Sequence, residues 1–193
     1  VRARRVDLLQ VGERRICTVV GFGIVADSAI AAGRLKETPG PWRSLARLAG
    51  GAIYRATATA SLFTRDPLSE PLEIEITTCD GAIERLTAPS PGLFIANGAF
   101  LGGGLRLPGV AADDDGICEL LLVQDVSRAR LVDAFTRLTL GLPISERVLR
   151  IVPAQRVRIV TDRASALVGD GDLIAMGREF ELCVDRHALT VLA

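Results

Sequence analysis

The feature that most restricts the fold of this chain is an alternation of period two in its middle. Leu72, Ile74 and Ile76 are interleaved with Glu73, Glu75 and Thr77. Only an extended strand sends successive side chains to opposite faces, so this run is a strand with one buried and one wet face. Asp80-Gly81 follows, then Ile83 and Leu86. An Asp-Gly pair between two such runs predicts a hairpin with a type I′ turn, whose two central residues need positive φ. Similar patterns predict strands from Arg4 to Val11 and Arg14 to Val20, joined at Gly12, and at Leu93 to Ala96 and Ile117 to Val123. In the tail Val157 and Ile159 alternate with Arg156 and Arg158, and short strands are expected at 166–168, 173–175, 180–184 and 189–192. Many short strands with turn signals between them predict a mainly β fold, a sandwich or barrel, with few helices.

A helical region follows Gly21-Phe22-Gly23 and is interrupted by Pro39, Gly40 and Pro41, and two further helices break the strand pattern. Leu45, Leu48, Ala49 and Ile53 recur at helical spacing from Trp42 onward and predict a helix over 42–63. Leu131, Phe135 and Leu138 form the apolar stripe of a second over 128–139, capped by Ser127 and ended by Gly141 and Pro143. A length of 193 residues is room for one domain or two small ones, and no repeat or low-complexity linker divides it.

Composition excludes several functions. With 49% hydrophobic and 24% charged residues the chain is an ordinary globular one, which excludes disorder. Lys+Arg and Asp+Glu are both 23, so the net charge is zero and a basic nucleic-acid binder is excluded. Lys36 is the only lysine, and no GxxxxGK[ST] occurs, which removes a phosphate-loop lysine. His187 is the only histidine. Cys17, Cys79, Cys118 and Cys183 form no CxxC and sit in apolar runs, so they are expected to be reduced and structural. No apolar run reaches the roughly 20 residues that span a bilayer, and no signal peptide opens the chain. A cytoplasmic location is the expectation. The opening residues from Val1 already read as a strand, so the chain is expected to be a piece of a longer protein.

Three loops carry residues suited to chemistry. Gly169-Asp170-Gly171-Asp172 places two carboxylates two residues apart around a glycine, where one can act as a base and one stand near a metal ion. The same four residues also suit an ordinary hairpin turn. Asn97-Gly98 with Gly102-Gly103-Gly104 could bring backbone close to a phosphate, or simply form a loop that needs positive φ. Asp113-Asp114-Asp115-Gly116 lacks the ladder of an EF-hand and reads as a loose cation site or a solvated acidic turn.

The order of these motifs resembles the C-terminal domain of the diacylglycerol kinase, sphingosine kinase and bacterial lipid kinase superfamily. The similar stretch is Phe94-Ile95-Ala96-Asn97-Gly98, Gly102-Gly103-Gly104, Pro108 and Asp115-Gly116, followed by the core strand Ile117 to Val123. Gly169-Asp170-Gly171-Asp172 falls where the family carries Asp-Gly-Glu, and Gly21-Phe22-Gly23, with Leu48, Gly51 and Tyr54, resembles its glycine turn and first long helix. The resemblance implies an α+β fold, mainly β: a single antiparallel β-sandwich over 1–193 that contributes the lipid site. It implies an ATP-binding domain with a G-G-D-G-T loop, which this chain lacks, and ATP and Mg2+ as cofactors of the complete enzyme. It implies Asp170 as base for the lipid hydroxyl, Asp172 as a residue near magnesium and the phosphates, and Asp115 in a cation-binding turn. Two positions depart from the pattern. Aspartate replaces glutamate at 172 and shortens the reach by one methylene, and the acidic turn is one residue longer, with Ala112.

Phosphoryl transfer suits such a constellation, because it needs an aligned hydroxyl, a carboxylate for its proton and cations for the phosphates. The function expected is therefore the lipid-binding domain of an ATP-dependent lipid kinase, inactive alone. Its partners would be a lipid substrate and, peripherally, a membrane surface, with no nucleic acid and with a homodimer left open. A non-catalytic lipid- or protein-binding sandwich is the alternative. A third reading takes Asp170-Gly171-Asp172 as the metal-binding DxD of a glycosyltransferase, which requires alternating strands and helices.

Overall fold

The structure, a computed structural model, describes residues 3–16, 18–37, 51–101, 104–110 and 112–192, without the side chains of 51 and 54. The strands are β1 (Ala3–Val11), β2 (Arg14–Ile16), β3 (Val19–Gly23), β4 (Glu70–Thr77), β5 (Ile83–Ser90), β6 (Gly92–Ala96), β7 (Phe100–Leu101), β8 (Leu105–Arg106), β9 (Cys118–Val123), β10 (Leu149–Ala154), β11 (Arg156–Gly169) and β12 (Asp172–Leu192). The helices are α1 (Ile24–Glu37), α2 (Gly51–Thr64) and α3 (Arg128–Thr139). Every strand pair is antiparallel. The expected mainly β, antiparallel fold is therefore the observed one, and the alternating parallel architecture of a glycosyltransferase is not.

The sheet is organised by β11. On one side β12 follows it for its whole length. On the other side its first half, Arg156 to Thr161, pairs with β4, while its last residues, Leu167 to Gly169, pair with β3. Between the two the ladder to β12 shifts register from Val160 to Ser165. There the Thr161 hydroxyl reaches the carbonyls of Arg163, at 2.7 Å, and Arg178. The sheet thus forks into a β4–β5 arm and a β3–β6–β9–β10 arm, with β12, β1 and β2 continuing on the opposite edge. One buried apolar cluster joins the arms through Leu72, Ile74, Ile76, Phe22, Ile95, Leu120 and Ile159. Burying side chains of this size contributes about 1.5–3 kcal/mol each.

Several sequence expectations change in the structure. The tail holds two long strands rather than several short ones. Gly177 and the Asp162-Arg163 stretch, which resemble breaks, are absorbed as strand positions and a register shift. A second irregularity in β12 lies opposite Asp7, where His187 takes φ +53°. At Asp80-Gly81 the hairpin forms, but its five-residue loop has positive φ only at Gly81. Asp80 Oδ1 instead accepts the Ala82 N–H, and the hydrogen bonds from Thr78 and Ala82 lower the Asp80 pKa. Cys79 sits exposed in that loop rather than in an apolar run, while Cys118 is buried, which pushes its thiol up to about 12.

The helix over 128–139 has the predicted bounds, yet the Ser127 side chain makes no cap bond. Arg128 instead donates to the carbonyls of Leu62 and Arg65, satisfying the end of α2. Arg65 pairs with Asp27 of α1 and Glu70 of β4, so the helices and the β4 arm are tied together. Of the helix predicted over 42–63, the stretch 42–50 lies outside the described residues, and the rest is helical.

The turn from β3 into α1 uses Gly23 at φ +67°, where an added Cβ would lie 2.4 Å from the Pro91 carbonyl oxygen. Gly12 has φ +58° but open space around it. Urea denaturation is expected to show a loss of about 1 kcal/mol for Gly12→Ala and roughly 3 kcal/mol for Gly23→Ala. Equal losses would mean that the Pro91 contact constrains nothing.

Glu119, half-buried in β9, has its pKa raised to about 7, first by burial and then by Asp115, and its Oε2 has no hydrogen-bond partner. The folded chain therefore holds this proton more tightly than the unfolded one. That contribution is fully present below the unfolded value of 4.5 and is lost as pH rises through about 7. After allowance for partial exposure, it amounts to about 1–2 kcal/mol. Chemical denaturation across that range should show wild-type stability falling relative to Glu119→Gln; parallel profiles would reject the raised pKa.

Candidate functional site

The β11–β12 hairpin closes with two residues. Gly169 pairs with Asp172, and Asp170 and Gly171 between them take φ +50° and +96°. Positive φ at both central positions is the type I′ geometry, and aspartate and glycine tolerate it better than most residues. The turn expected at Asp80-Gly81 is thus built here instead.

This turn is held from outside its own hairpin. The Asp170 N–H donates to the Val19 carbonyl at 3.1 Å. Its Oδ1 accepts the Thr18 hydroxyl at 2.6 Å, the Thr18 N–H at 3.0 Å and the Val19 N–H at 3.4 Å. The Thr18 carbonyl in turn accepts the N–H groups of Asn97, at 2.9 Å, and Gly98, at 3.1 Å. The Asn97-Gly98 pair therefore braces Thr18. Gly98 does not adopt the positive φ that the loop reading required, and it donates its N–H to the Thr18 carbonyl just before β3. The run 102–103 lies outside the described residues, and Gly104 takes φ +74°.

The chain of contacts continues inward. Asn97 is fully buried, and its Nδ2 donates to the Asp7 carbonyl at 2.6 Å. Asp7 is also fully buried, and its carboxylate accepts the Gly116 N–H and the His187 N–H, both at 2.6 Å. The Asp7 N–H donates to the Asp113 carbonyl at 2.7 Å, and Arg4 binds the Asp113 carboxylate through two contacts of 2.6 Å. One continuous path thus joins all three motifs: the hairpin at 170, the Asn97-Gly98 brace and the acidic turn. Thr18 and Asp7 are the members that sequence reasoning missed. The signal for Asp7 was a lone carboxylate inside the apolar run Val6-Asp7-Leu8-Leu9, since a charge there needs built-in partners. Thr18 left no such trace.

Beside the hairpin lies a cavity of about 470 Å³. Its walls come from β3, β6, β9, the β7–β8 hairpin and all three helices, through residues such as Val25, Leu62, Phe94, Leu105, Leu121 and Phe135. Asp170 is the one charged side chain among its described lining residues. Thr18 and Ser28 are the other polar side chains there, and the Ser28 hydroxyl is turned back onto the Ile24 carbonyl. A cavity of this size with few convergent polar groups is the form of a small-molecule site. Asp170 is exposed, at the edge of the sandwich.

Asp172 and Asp115 are placed differently. Asp172 opens β12, is exposed and does not line the cavity. Asp115 is exposed in the acidic turn, where its Oδ1 accepts the Ile117 N–H at 3.0 Å. Among the described residues no three acidic, histidine or cysteine side chains gather as a metal site. These residues alone do not form a cation cage.

Comparison with known proteins agrees with this architecture. A crystal structure of a diacylglycerol kinase from Bacillus anthracis str. Sterne superposes with a TM-score of 0.61 at 15% identity, covering 98% of this chain and 53% of that one. A provisionally assigned diacylglycerol kinase of the same organism gives a TM-score of 0.68 at 16% identity, covering 98% and 56%. These likenesses show a shared fold, and the chain spans about half the length of those proteins. No curated protein sequence matches it. The model of the YegS C-terminal NAD kinase beta sandwich-like domain matches residues 42–193. Matched over more than half its length, the chain belongs to that family of β-sandwich domains.

Proposed function

We propose that this domain holds the lipid substrate of an ATP-dependent lipid kinase and supplies the base for its hydroxyl. One observation carries the reading: the residue singled out as a base, Asp170, is the one charged side chain on the described lining of a large apolar cavity. A lipid seated there with its chain among Leu62, Leu105 and Phe135 would bring its polar end to the hairpin. The Asp170 carboxylate would take the hydroxyl proton while the oxygen attacks the γ-phosphorus of ATP and the bond to the departing ADP breaks. The solved structures described as diacylglycerol kinases make such a hydroxyl lipid a fitting substrate.

Nucleotide binding falls to a further domain on this reading. No GxxxxGK[ST] occurs in the sequence, and both neighbours are about twice as long. Asp172, exposed next to the hairpin, is the residue proposed to face magnesium and the phosphates. One or two carboxylates suffice there, because Mg2+ takes most of its ligands from phosphate and water. The membrane surface from which the lipid comes is the proposed peripheral partner. No helix among the described residues is long and apolar enough to cross a bilayer.

Two measurements test this. In the full-length protein Asp170→Asn keeps an acceptor oxygen for Thr18 and tolerates the positive φ but turns two charge-assisted bonds into neutral ones, so stability should fall by about 1–3 kcal/mol with the fold retained. Lipid-kinase turnover should fall by about 10²–10⁴-fold with the base removed. Turnover near wild type would favour the non-catalytic binding module instead. Separately, calorimetric titration of this 193-residue chain with Mg-ATP is expected to show no tight binding, and a micromolar site would mean that the domain binds nucleotide by itself.

A further inference from the structure

The acidic turn at Asp113-Asp114-Asp115-Gly116 carries three carboxylates in succession. Like charges this close repel, so the turn needs positive charge beside it. A bound dication is one source of that charge, and the fold supplies another. Arg4, near the start of β1, binds both oxygens of Asp113 through its two terminal nitrogens, each at 2.6 Å. This two-pronged form is the strong one among arginine–carboxylate pairs. The hydrogen bond and charge of Asp113 raise the Arg4 pKa, and Asp114 adds to that effect. From the other side comes Arg186 of β12. A Cβ added to Gly116 would lie 2.5 Å from Arg186 Nε and 2.9 Å from its Cδ and Cζ, so the guanidinium rests directly on the end of the turn.

Asp7 ties these three segments together. It follows Arg4 on β1, and its N–H donates to the Asp113 carbonyl at 2.7 Å. One oxygen of its buried carboxylate takes the Gly116 N–H, and the other takes the N–H of His187, the residue after Arg186. One buried residue thus fixes the turn and the backbone that brings each guanidinium to it. Few oxygens are left for a dication. Both of Asp113 face Arg4, both of Asp7 face backbone N–H groups, and Asp115 Oδ1 accepts the Ile117 N–H. A dication at the remaining oxygens of Asp114 and Asp115 would stand beside two fixed positive charges. We propose that Arg4 and Arg186 are the built-in counter-ions of the acidic turn, and that this turn takes no divalent cation. The proposal is independent of the lipid reading above, so either can fail and leave the other intact.

The test uses the nucleotide-free full-length protein. Mn2+, followed as the free ion by electron paramagnetic resonance, should bind wild type and the double variant Asp114→Asn/Asp115→Asn alike. Amide exchange read by mass spectrometry should show the same protection around Gly116 and His187 in excess EDTA as in about 5 mM Ca2+, which exceeds the dissociation constants of weak calcium sites. Arg4→Gln and Arg186→Gln should each speed exchange there, by about 10–100-fold for Arg4, the effect of losing one charge-assisted pair. Arg4→Lys keeps the charge without the fork and should fall between Arg4→Gln and wild type. Peptides from the β4–β5 hairpin are the control, because a variant that unfolds as a whole would speed them too. Should Arg4→Gln do so, Arg186→Gln and Arg4→Lys carry the test. A sub-millimolar Mn2+ site present in wild type and missing from Asp114→Asn/Asp115→Asn would overturn the proposal, as would protection that Ca2+ raises and EDTA removes. Exchange that is unchanged in both glutamine variants, or no slower in Arg4→Lys than in Arg4→Gln, would overturn the counter-ion role.

Discussion

Thr18 is gripped from two sides, and the candidate site depends on that grip. Its carbonyl receives two N–H groups from the Asn97-Gly98 brace, while its own N–H and hydroxyl hold the Asp170 carboxylate. Hydrogen bonds to a charged group contribute about 1.5–3 kcal/mol each, more than neutral ones. A two-residue hairpin turn would otherwise be positioned only by its own two strands. Fastening it to β3 fixes the carboxylate relative to the cavity wall, of which β3 is part. Behind Thr18 stands Asp7, a buried charge that would be costly without partners and has two backbone N–H donors instead. The same carboxylate holds the irregularity at His187 and the end of the acidic turn at Gly116, and the Asp7 carbonyl holds Asn97, so three loops take their places from one buried residue.

The cavity follows from the way β11 is shared. Because its first half pairs with β4 and its end with β3, the sheet forks. The face of the β3–β6–β9 arm that bears Phe94, Leu121 and Val123 is met by helices rather than by the other arm. Three helices approach it, and Leu131, Phe135 and Leu138 of α3 turn their apolar stripe toward it. They leave a space that none of the described side chains fills. Interiors are normally packed to crystal density, and an apolar void forfeits contacts on every wall. Among the described lining residues Asp170 carries the one carboxylate, so an occupant that restored those contacts would meet a single charged group.

Much of the architecture was legible because alternation and turn chemistry are local. The strand over 72–77, the core strand ending at Val123 and the helix over 128–139 each follow from side-chain spacing alone. The two long tail strands did not, because a glycine or a polar pair inside a bent strand looks the same in sequence as a turn. Only the register to β12 shows that the chain continues. The type I′ turn was expected at Asp80-Gly81 and stands at Asp170-Gly171. Both pairs have the right residues, and loop length decides between them: five residues at the first site let Asp80 bond forward to Ala82, while two at the second force positive φ on both. In the site, Asp170 was legible from its motif. Asp7 left only the trace of a lone carboxylate in an apolar run and Thr18 left none, because their partners lie about 90 to 180 residues away in sequence and only the fold brings them together.

The two readings of Gly169-Asp170-Gly171-Asp172 do not compete in the folded protein. The four residues form a hairpin turn by every geometric measure, and that turn carries the carboxylate that meets the cavity. A fold shared with diacylglycerol kinases says little about chemistry by itself, since one architecture hosts many activities. What separates this turn from the other aspartate-glycine turn in the chain is what surrounds it. Asp80 ends in its own loop, bonded to residues two positions away. Asp170 is bonded across the fold and placed against an apolar slot. A strained left-handed aspartate is stable only where its surroundings determine it, and here the groups that hold it in that conformation are the same ones that aim it.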